Sequence, residues 1–198
     1  MSHVLPAQNK DVYVFVTQER VRSCEDRKQG HSARVNMIII KSYGRRVDET
    51  GRVYILSYEF HVCPVCGCVL AVIGTRERRY FDNDDTKVVL VIRRLRCKGC
   101  RVIHHELPDI LIPYKRHCAD TVEYIVNGEN GNVCCDDRTI ARIRAWWEAC
   151  RLYFENALAS LREKYGLTFQ PNPTPREIVR AVANAHLWPH TRTAFLPG

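Results

Sequence analysis

The sequence predicts an α+β protein in which a β-rich region precedes a helical region. Three observations support this fold class. Short β-branched and aromatic runs dominate the first half of the chain. A hairpin pattern bracketed by paired cysteines lies in the middle, and apolar residues at alternating spacings of three and four run from 140 to 165. We therefore divide the chain into an N-terminal extension at 1–36, a β-rich region at 37–114 and a helical region at 115–198.

The composition excludes several classes of protein. With 198 residues, of which 45% are hydrophobic and 26% charged, the chain is long enough for one domain or two small ones and is not a disordered tail. No apolar run approaches the ~18–20 residues of a membrane-spanning helix. The N-terminus lacks the basic and apolar regions of a secretory signal. We therefore expect a cytoplasmic protein with no membrane partner.

The net charge of +8 is unevenly distributed, because residues 1–100 carry +7 of it. Nine Lys and Arg residues face four Asp and Glu residues between positions 76 and 101. A solvated strand surface is one interpretation of this run. The other is a surface that binds a polyanion, which its position beside the paired cysteines favours.

The β-rich region is predicted from short runs with turn residues between them. DVYVFVT at 11–17, VNMIIIK at 35–41 and RVYILSYEF at 52–60 are typical of strands, and the polar stretch at 18–34 is typical of a loop. Residues 105–114 contain two prolines and are expected to be extended, since proline removes a donor and disfavours helix before it.

Two C-x-x-C motifs thirty residues apart predict one metal site. Cys63 and Cys66 form the first pair, and Cys97 and Cys100 form the second. Two thiolates on a tight turn can reach one ion, and two such turns complete a tetrahedral shell of sulfur that suits Zn²⁺. A closed Cys₄ site is structural, and it lowers the formal net charge to +6. A disulfide pair and four unrelated thiols are the alternatives.

A β-hairpin between the two cysteine pairs completes the pattern of a zinc ribbon at 61–101. Its arms are Val69–Phe81 and Lys87–Arg96, with an Asp-rich turn between them. Gly67 and Gly99 are expected to allow the tight turns of the two motifs. Cys68 is interpreted as a spare thiol, although it could exchange register with Cys66. His104 and His105 would be surplus as zinc ligands and are expected to pack or to form hydrogen bonds. Cys134 and Cys135 lack metal spacing.

Three helices are predicted in the second half. One covers about 115–127 and ends at Gly128. A long one covers about 137–165, with Asp136 at its N-cap, and its length indicates either a bend or contact with a partner, for which a homodimer is one expectation. The last begins after Thr174 in a capping box and ends near His186.

The start of the long helix carries an Arg-rich turn that is compatible with a helix-turn-helix. Arg138 and Arg142 are predicted to point away from the apolar face, and Arg144 lies at its rim. With Thr139, these residues would suit docking in the major groove of DNA. The alternative is a small helical bundle with solvated arginines, which the spacing alone favours.

Five segments together carry a resemblance to a known group of proteins: CPVCG, RRLRCKGC, HHELPDILIPYKRH, DDRTIARIRAWW and WPHTRTAF. They resemble a bacterial family of unknown function that is similar to the zinc-ribbon and helix-turn-helix modules of insertion-sequence transposases. The resemblance implies a zinc-bound module that contacts double-stranded DNA, encoded on or derived from a mobile element. Ile143 departs from the pattern, because tryptophan is expected there in many relatives. Residues 1–36 lie outside the resemblance and are interpreted as an extension or as a misassigned start.

The favoured function is therefore that of a zinc-binding, DNA-binding protein without catalytic activity. The ribbon residues Arg93, Arg94, Arg96 and Lys98 would contact phosphates, and the turn at 138–144 would contact bases. No phosphate loop or hydrolase motif is present, and the aspartates fit turns and caps. Two alternatives are a scaffold that uses the long helix, and an RNA-binding ribbon on which Tyr80 and Phe81 stack bases.

Overall fold

The computed structural model describes residues 36–189, and they form an α+β fold in which a mixed six-stranded sheet precedes three helices. The expected strand at 11–17, the loop at 18–34 and the end of the C-terminal tail lie outside the described residues. The strands are β1 (Asn36–Ile40), β2 (Tyr43–Val47), β3 (Val53–Ser57), β4 (Leu70–Phe81), β5 (Lys87–Cys97) and β6 (Ile103–Pro108). The helices are α1 (Ala119–Asn127), α2 (Asp137–Tyr165) and α3 (Pro175–Asn184).

Strand β5 lies at the centre of the sheet. It pairs with β4 along its whole length as the predicted antiparallel hairpin. Along its other edge, residues 90–91 pair with β3 in parallel and residues 94–96 pair with β6 in an antiparallel arrangement. β1 extends the sheet beyond β6, and β2 extends it beyond β3. The second arm of the ribbon is therefore also a core strand of the sheet.

Strand β2 is not among the predicted strands. Its sequence, YGRRV, has two arginines and a glycine, and three of its five residues are exposed, so it lacks the apolar alternation that marks a half-buried strand. It forms because it pairs with β3 through a turn at 48–52. In that turn the Asp48 carboxylate accepts hydrogen bonds from the backbone N–H groups of Thr50 and Arg52.

Helices α2 and α3 begin and end where the local signals predict. Asp136 caps α2 by accepting a hydrogen bond from the Thr139 N–H, and Gly166 ends the helix in the left-handed conformation. The Thr174 capping box with Pro175 starts α3. The apolar stripe predicted on α2 is buried from Ile143 to Leu161.

Helix α1 begins at Ala119, four residues later than predicted, and ends at Gly128 as expected. The delay has a tertiary cause. The Phe81 N–H donates to the Arg116 carbonyl and the Cys118 N–H donates to the Phe81 carbonyl, so this stretch pairs with the end of β4. Tyr114 also has a φ of 62°, which a right-handed helix excludes.

One hydrophobic core joins the sheet to the helices. It runs from Met37 and Ile92 through Val122 and Phe154 to Trp188, and so crosses the boundary expected at 114/115.

The α3 residue Asn184 closes the free edge of β1. Its Oδ1 accepts from the Ile39 N–H at 2.7 Å, and its Nδ2 donates to the Ile39 carbonyl at 3.0 Å. Within residues 36–189, no helix is long and apolar enough to cross a membrane.

Candidate metal centre

The first cysteine pair lies on a tight turn between β3 and β4. The Gly67 N–H donates to the Cys63 carbonyl at 2.7 Å, and the Cys63 N–H donates to the Cys68 carbonyl at 2.9 Å. Gly67 has a φ of 76°, in the left-handed region that glycine adopts without steric cost. The turn therefore needs the glycine that the sequence places after Cys66.

The second pair is built in the same way at the end of β5. The Cys97 N–H donates to the Val102 carbonyl at 2.9 Å, and the Lys98 N–H donates to the Val69 carbonyl at 3.0 Å, which ties the two turns together. Here the positive φ, 64°, belongs to Arg101 and not to Gly99. Arg101 follows its C-x-x-C motif as Gly67 follows the first, so the expectation that Gly99 supplies this turn is wrong.

The four predicted cysteines come together in a geometry that fits a metal ion. Their Sγ atoms all lie within 4.8 Å of one another, with Cys63 to Cys100 at 3.6 Å and Cys66 to Cys97 at 3.4 Å. A tetrahedral ion with metal–sulfur bonds of ~2.3 Å requires sulfurs about 3.8 Å apart. Within the described part of the chain, no other group of three or more His, Cys, Asp or Glu meets this spacing.

Burial opposes ionisation of the clustered thiols. Burial raises the pKa of Cys63 far above its usual range and raises the pKa of Cys100 to about 11. Burial also opposes ionisation at Cys66, but hydrogen bonds, first from the Cys68 backbone and then from Cys97, outweigh it and lower its pKa to about 6. A dication is the ordinary means of holding several such thiols as thiolates.

His104 supports the cluster from outside. It is fully buried, and its Nε2 lies 3.4 Å from the Cys63 Sγ. Burial, with smaller effects of His186 and His105, lowers the pKa of His104 to about 4. A neutral imidazole can donate its N–H to a metal-bound thiolate and fix its orientation. The expectation that His104 forms a hydrogen bond rather than binding metal agrees with this contact.

The other described cysteines lie outside the cluster. Cys68 accepts a backbone hydrogen bond in the first turn, and Cys150 is buried on α2 in the core. Cys135 Sγ lies 3.5 Å from His117 Nδ1, whereas its neighbour Cys134 is exposed. Cys68 is therefore not one of the four clustered cysteines.

Arg93 differs in environment from the other basic residues predicted on the ribbon. It forms two hydrogen bonds of 2.6 Å to the carboxylate of Glu106, which is 1% exposed. His61 Nε2 lies 3.6 Å from the same carboxylate. This part-buried pair joins β5 to β6. Sequence reasoning missed it because Glu106 is thirteen residues from its partner.

Most of the basic run, in contrast, has no counter-charge. Between positions 76 and 101 only Arg79 and Arg93 form ion pairs, with Glu77 and Glu106 respectively. The remaining seven basic residues make no ion pair with any residue in 36–189: Arg76, Arg78, Lys87, Arg94, Arg96, Lys98 and Arg101. Of the predicted phosphate contacts, Lys98 is exposed, and Arg94 and Arg96 are partly exposed on β5.

The predicted base-contacting residues lie on the first turns of α2. Arg138, Arg142 and Arg144 are exposed. Thr139 is buried, and its hydroxyl donates to the Asp136 carboxylate while accepting from Arg142 at 3.3 Å. Arg144 donates to the Asn130 side chain at 3.1 Å. Thr139 therefore serves the helix cap, and the three arginines are the side chains that reach solvent.

Tyr80 and Phe81, the predicted base-stacking residues, pack within the fold, and Asp82 belongs to the hairpin turn. Tyr80 is 7% exposed, and Phe81 packs against His117 with ring centroids 5.6 Å apart. Tyr80 is therefore not displayed as the RNA-binding alternative requires, whereas Phe81 is partly exposed. Asp82 accepts backbone hydrogen bonds from Asp84 and Thr86, as a turn residue does.

A family model described as a domain of unknown function, DUF6431, matches residues 63–143. The matched segment starts at Cys63 and ends at Ile143, so it contains the four clustered cysteines, the β4–β5 hairpin and the first turns of α2. Neither the curated proteins nor the solved structures give a match to the chain.

Proposed function

We propose that the chain is a zinc-stabilised protein that binds double-stranded DNA, related to the DNA-contacting modules of insertion-sequence transposases, cytoplasmic, and without catalytic activity of its own. The observation that supports it most is the run of seven basic residues beside the four-cysteine cluster that form no ion pair within residues 36–189. Two aspartates of the Asp-rich segments have structural partners, since Asp82 accepts from the Thr86 N–H in the hairpin turn and Asp136 accepts from the Thr139 N–H at the α2 cap.

Zn²⁺ is the metal proposed for the cluster. Four thiolates at this spacing match its tetrahedral preference, and with all four positions filled by protein no site remains for a water or substrate. Cys63, Cys66, Cys97 and Cys100 would hold the ion, and its role would be to fix the base of the hairpin.

The two halves of the molecule would contribute differently to binding. The hairpin would supply sequence-independent attraction to phosphates, because its uncompensated charges release counterions when a polyanion replaces them. Arg138, Arg142 and Arg144 on α2 would supply any base contacts, since these are the side chains of the predicted turn that reach solvent.

The test is a titration of zinc-loaded full-length protein against a fluorescent DNA duplex at several salt concentrations. We expect the affinity to fall steeply with salt. The logarithm of the association constant should fall by about 0.9 per phosphate contact for each tenfold rise in salt concentration. Competition with single-stranded RNA distinguishes DNA binding from the RNA-binding alternative. Undetectable binding at low salt, or binding independent of salt, would contradict the proposal.

Substitutions on α2 test the sequence preference of the protein. The preferred DNA sequence is first selected from a random duplex library with the wild-type protein. Arg142→Ala should reduce the discrimination between selected and scrambled duplexes by about 1–3 kcal/mol. Arg151→Ala is the matched control, because Arg151 lies on the same helix and pairs with Glu148 and Glu155. Equal effects of the two changes would remove α2 from base recognition.

A further inference from the structure

Three arginines converge on one face of the β4–β5 hairpin. Because side chains alternate along a strand, Arg76 and Arg78 of β4 share a face with Arg94 of β5, given that Arg76 is opposite Ile92 and Arg78 is opposite Leu90. His105 of β6 is opposite Arg94 on the other edge of β5. None of these positions except Arg94 belongs to the DNA contacts predicted from the sequence.

His105 contacts Arg76 directly, and the charges of Arg94 and Arg78 also affect its pKa. Its Nδ1 lies 3.5 Å from an Nη atom of Arg76, and its side chain is 7% exposed. Burial, followed by the charges of Arg76, Arg94 and Arg78, lowers the pKa of His105 to about 4. The imidazole is therefore neutral near pH 7, and the positive charge around it comes from the arginines.

No carboxylate compensates this charge within the described residues. The only acidic residue of β4, Glu77, occupies the alternate face and contacts Arg52 and Arg79. Arg78 donates to the Lys115 carbonyl at 3.0 Å, while its buried Nε has no hydrogen-bond partner in residues 36–189. Arg76 and Arg116 lower the pKa of Arg78 further, after burial. Half-buried cations that repel one another are stabilised by an anion.

The backbone leaves room for such an anion. The β4–β5 register shifts between Val72 and Gly74, and Gly74 is opposite Arg94. A Cβ atom built on Gly74 would have no heavy atom within 4 Å, so the exposed surface at Gly74 is open. Guanidinium groups are well suited to fill it with phosphate, since each offers two donors in a plane that matches two phosphate oxygens.

We propose that Arg76, Arg78 and Arg94 form a phosphate-binding site around His105 on the hairpin. Identifying the ligand as a backbone phosphate of DNA rests on the function proposed above, whereas free inorganic phosphate would use the same groups. The two sources are separated by the arms of the test.

The first arm uses inorganic phosphate and the zinc-loaded full-length chain. Phosphate is added at constant ionic strength against potassium chloride, and the arginine Nε–Hε resonances are followed by NMR. We expect those of Arg76, Arg78 and Arg94 to shift with one saturating curve, while that of Arg79 on the same strand stays in place. No shift, or equal shifts at all arginines, would overturn the site.

The second arm uses variants and a DNA duplex. The double change Arg76→Gln and Arg94→Gln should weaken phosphate binding about tenfold or more and lower the salt slope for DNA by up to about 2. Arg79→Gln is the matched control, because its charge is already paired with Glu77. If the double variant fails to fold, the wild-type resonance shifts decide the result.

The outcomes separate the two proposals. Phosphate shifts without DNA binding would leave the site standing and remove the proposed function. DNA binding with an unchanged slope and no phosphate shifts would overturn the site and leave the function standing. A wild-type protein that shows neither phosphate shifts nor DNA binding would overturn both proposals.

Discussion

Arg101 holds a backbone conformation that most side chains disfavour. Its φ of 64° matches that of Gly67, 76°, at the equivalent position of the first cysteine turn. A residue with a Cβ atom pays about 1–2 kcal/mol for this conformation, and glycine does not. The second turn is thus closed at a cost that the first avoids.

Arg101→Gly should therefore stabilise the zinc-loaded protein by about 1 kcal/mol relative to Arg101→Ala. The alanine variant is the matched control, because both changes remove the same charged side chain. Chemical denaturation with fixed free zinc measures the difference. Equal stability of the two variants would show that the conformation of residue 101 is not strained.

His105 should make stability depend on pH. Its pKa is about 4 in the folded protein, owing first to burial and then to the arginines, and about 6.5 in the unfolded chain. The unfolded state binds the proton first, so the contribution of neutral His105 is complete above about pH 6.5 and is lost as the pH falls towards 4.

His105→Asn tests this contribution, because an amide oxygen can replace Nδ1 as the acceptor for Arg76. The difference in the free energy of unfolding between wild type and variant should shift in favour of the variant between pH 6.5 and 4. A difference that is constant over this range would contradict the folded-state pKa.

At the scale of elements, Asn184 joins α3 to the sheet. Both polar atoms of its amide bond the backbone of Ile39, as a neighbouring strand would. Asn184→Ala leaves an N–H and a carbonyl at the part-buried edge of β1 without partners, and we expect a loss of about 1–3 kcal/mol in unfolding free energy. Asn156→Ala, at an exposed position of α2, is the control and should change the stability little. Equal effects would mean that the edge contact is not stabilising.

Local signals explain why some elements are predictable. The caps at Asp136 and Thr174 and the apolar stripe of α2 depend on residues within a few positions of one another, and the Asp-rich turn with its two arms specifies the hairpin. β2 and the late start of α1 depend on pairing with distant strands, which local sequence does not encode.

The candidate site divides in the same way. The paired cysteines predict the cluster because C-x-x-C spacing is itself a geometric constraint. The burial of Thr139 and the pairing of Arg93 with Glu106 depend on tertiary contacts, which local sequence does not encode. The spacing of two between Arg76 and Arg78 was visible in the sequence, whereas the face they share with Arg94 depends on the register of the hairpin and its bulge.

At the scale of the whole molecule, the strand that ends in the cysteine cluster shares one hydrophobic core with the helices. Cys97 ends β5, which is the central strand of the sheet, and the same core continues to Trp147 and Trp188. Losing the ion should therefore affect the helices as well as the ribbon. At free zinc a thousandfold above Kd, binding alone stabilises the fold by about 4 kcal/mol.

Chelation should lower the midpoint of thermal unfolding, and the tryptophan fluorescence should change in the same transition as the far-ultraviolet circular dichroism. Addition of zinc in excess of the chelator is the control and should restore the midpoint. Tryptophan emission that is unchanged when the metal is removed would show that the helical region folds independently of the ribbon.

The metal centre is the claim on which the rest depends, and cobalt substitution tests it most directly. One Co²⁺ per chain should give the visible absorption of a tetrahedral site with thiolate ligands, and Zn²⁺ should displace it. Cys66→Ser should reduce the thiolate-to-metal band, whereas Cys68→Ser should leave it unchanged. A spectrum typical of octahedral coordination, or a band equally sensitive to both changes, would contradict the four-cysteine site.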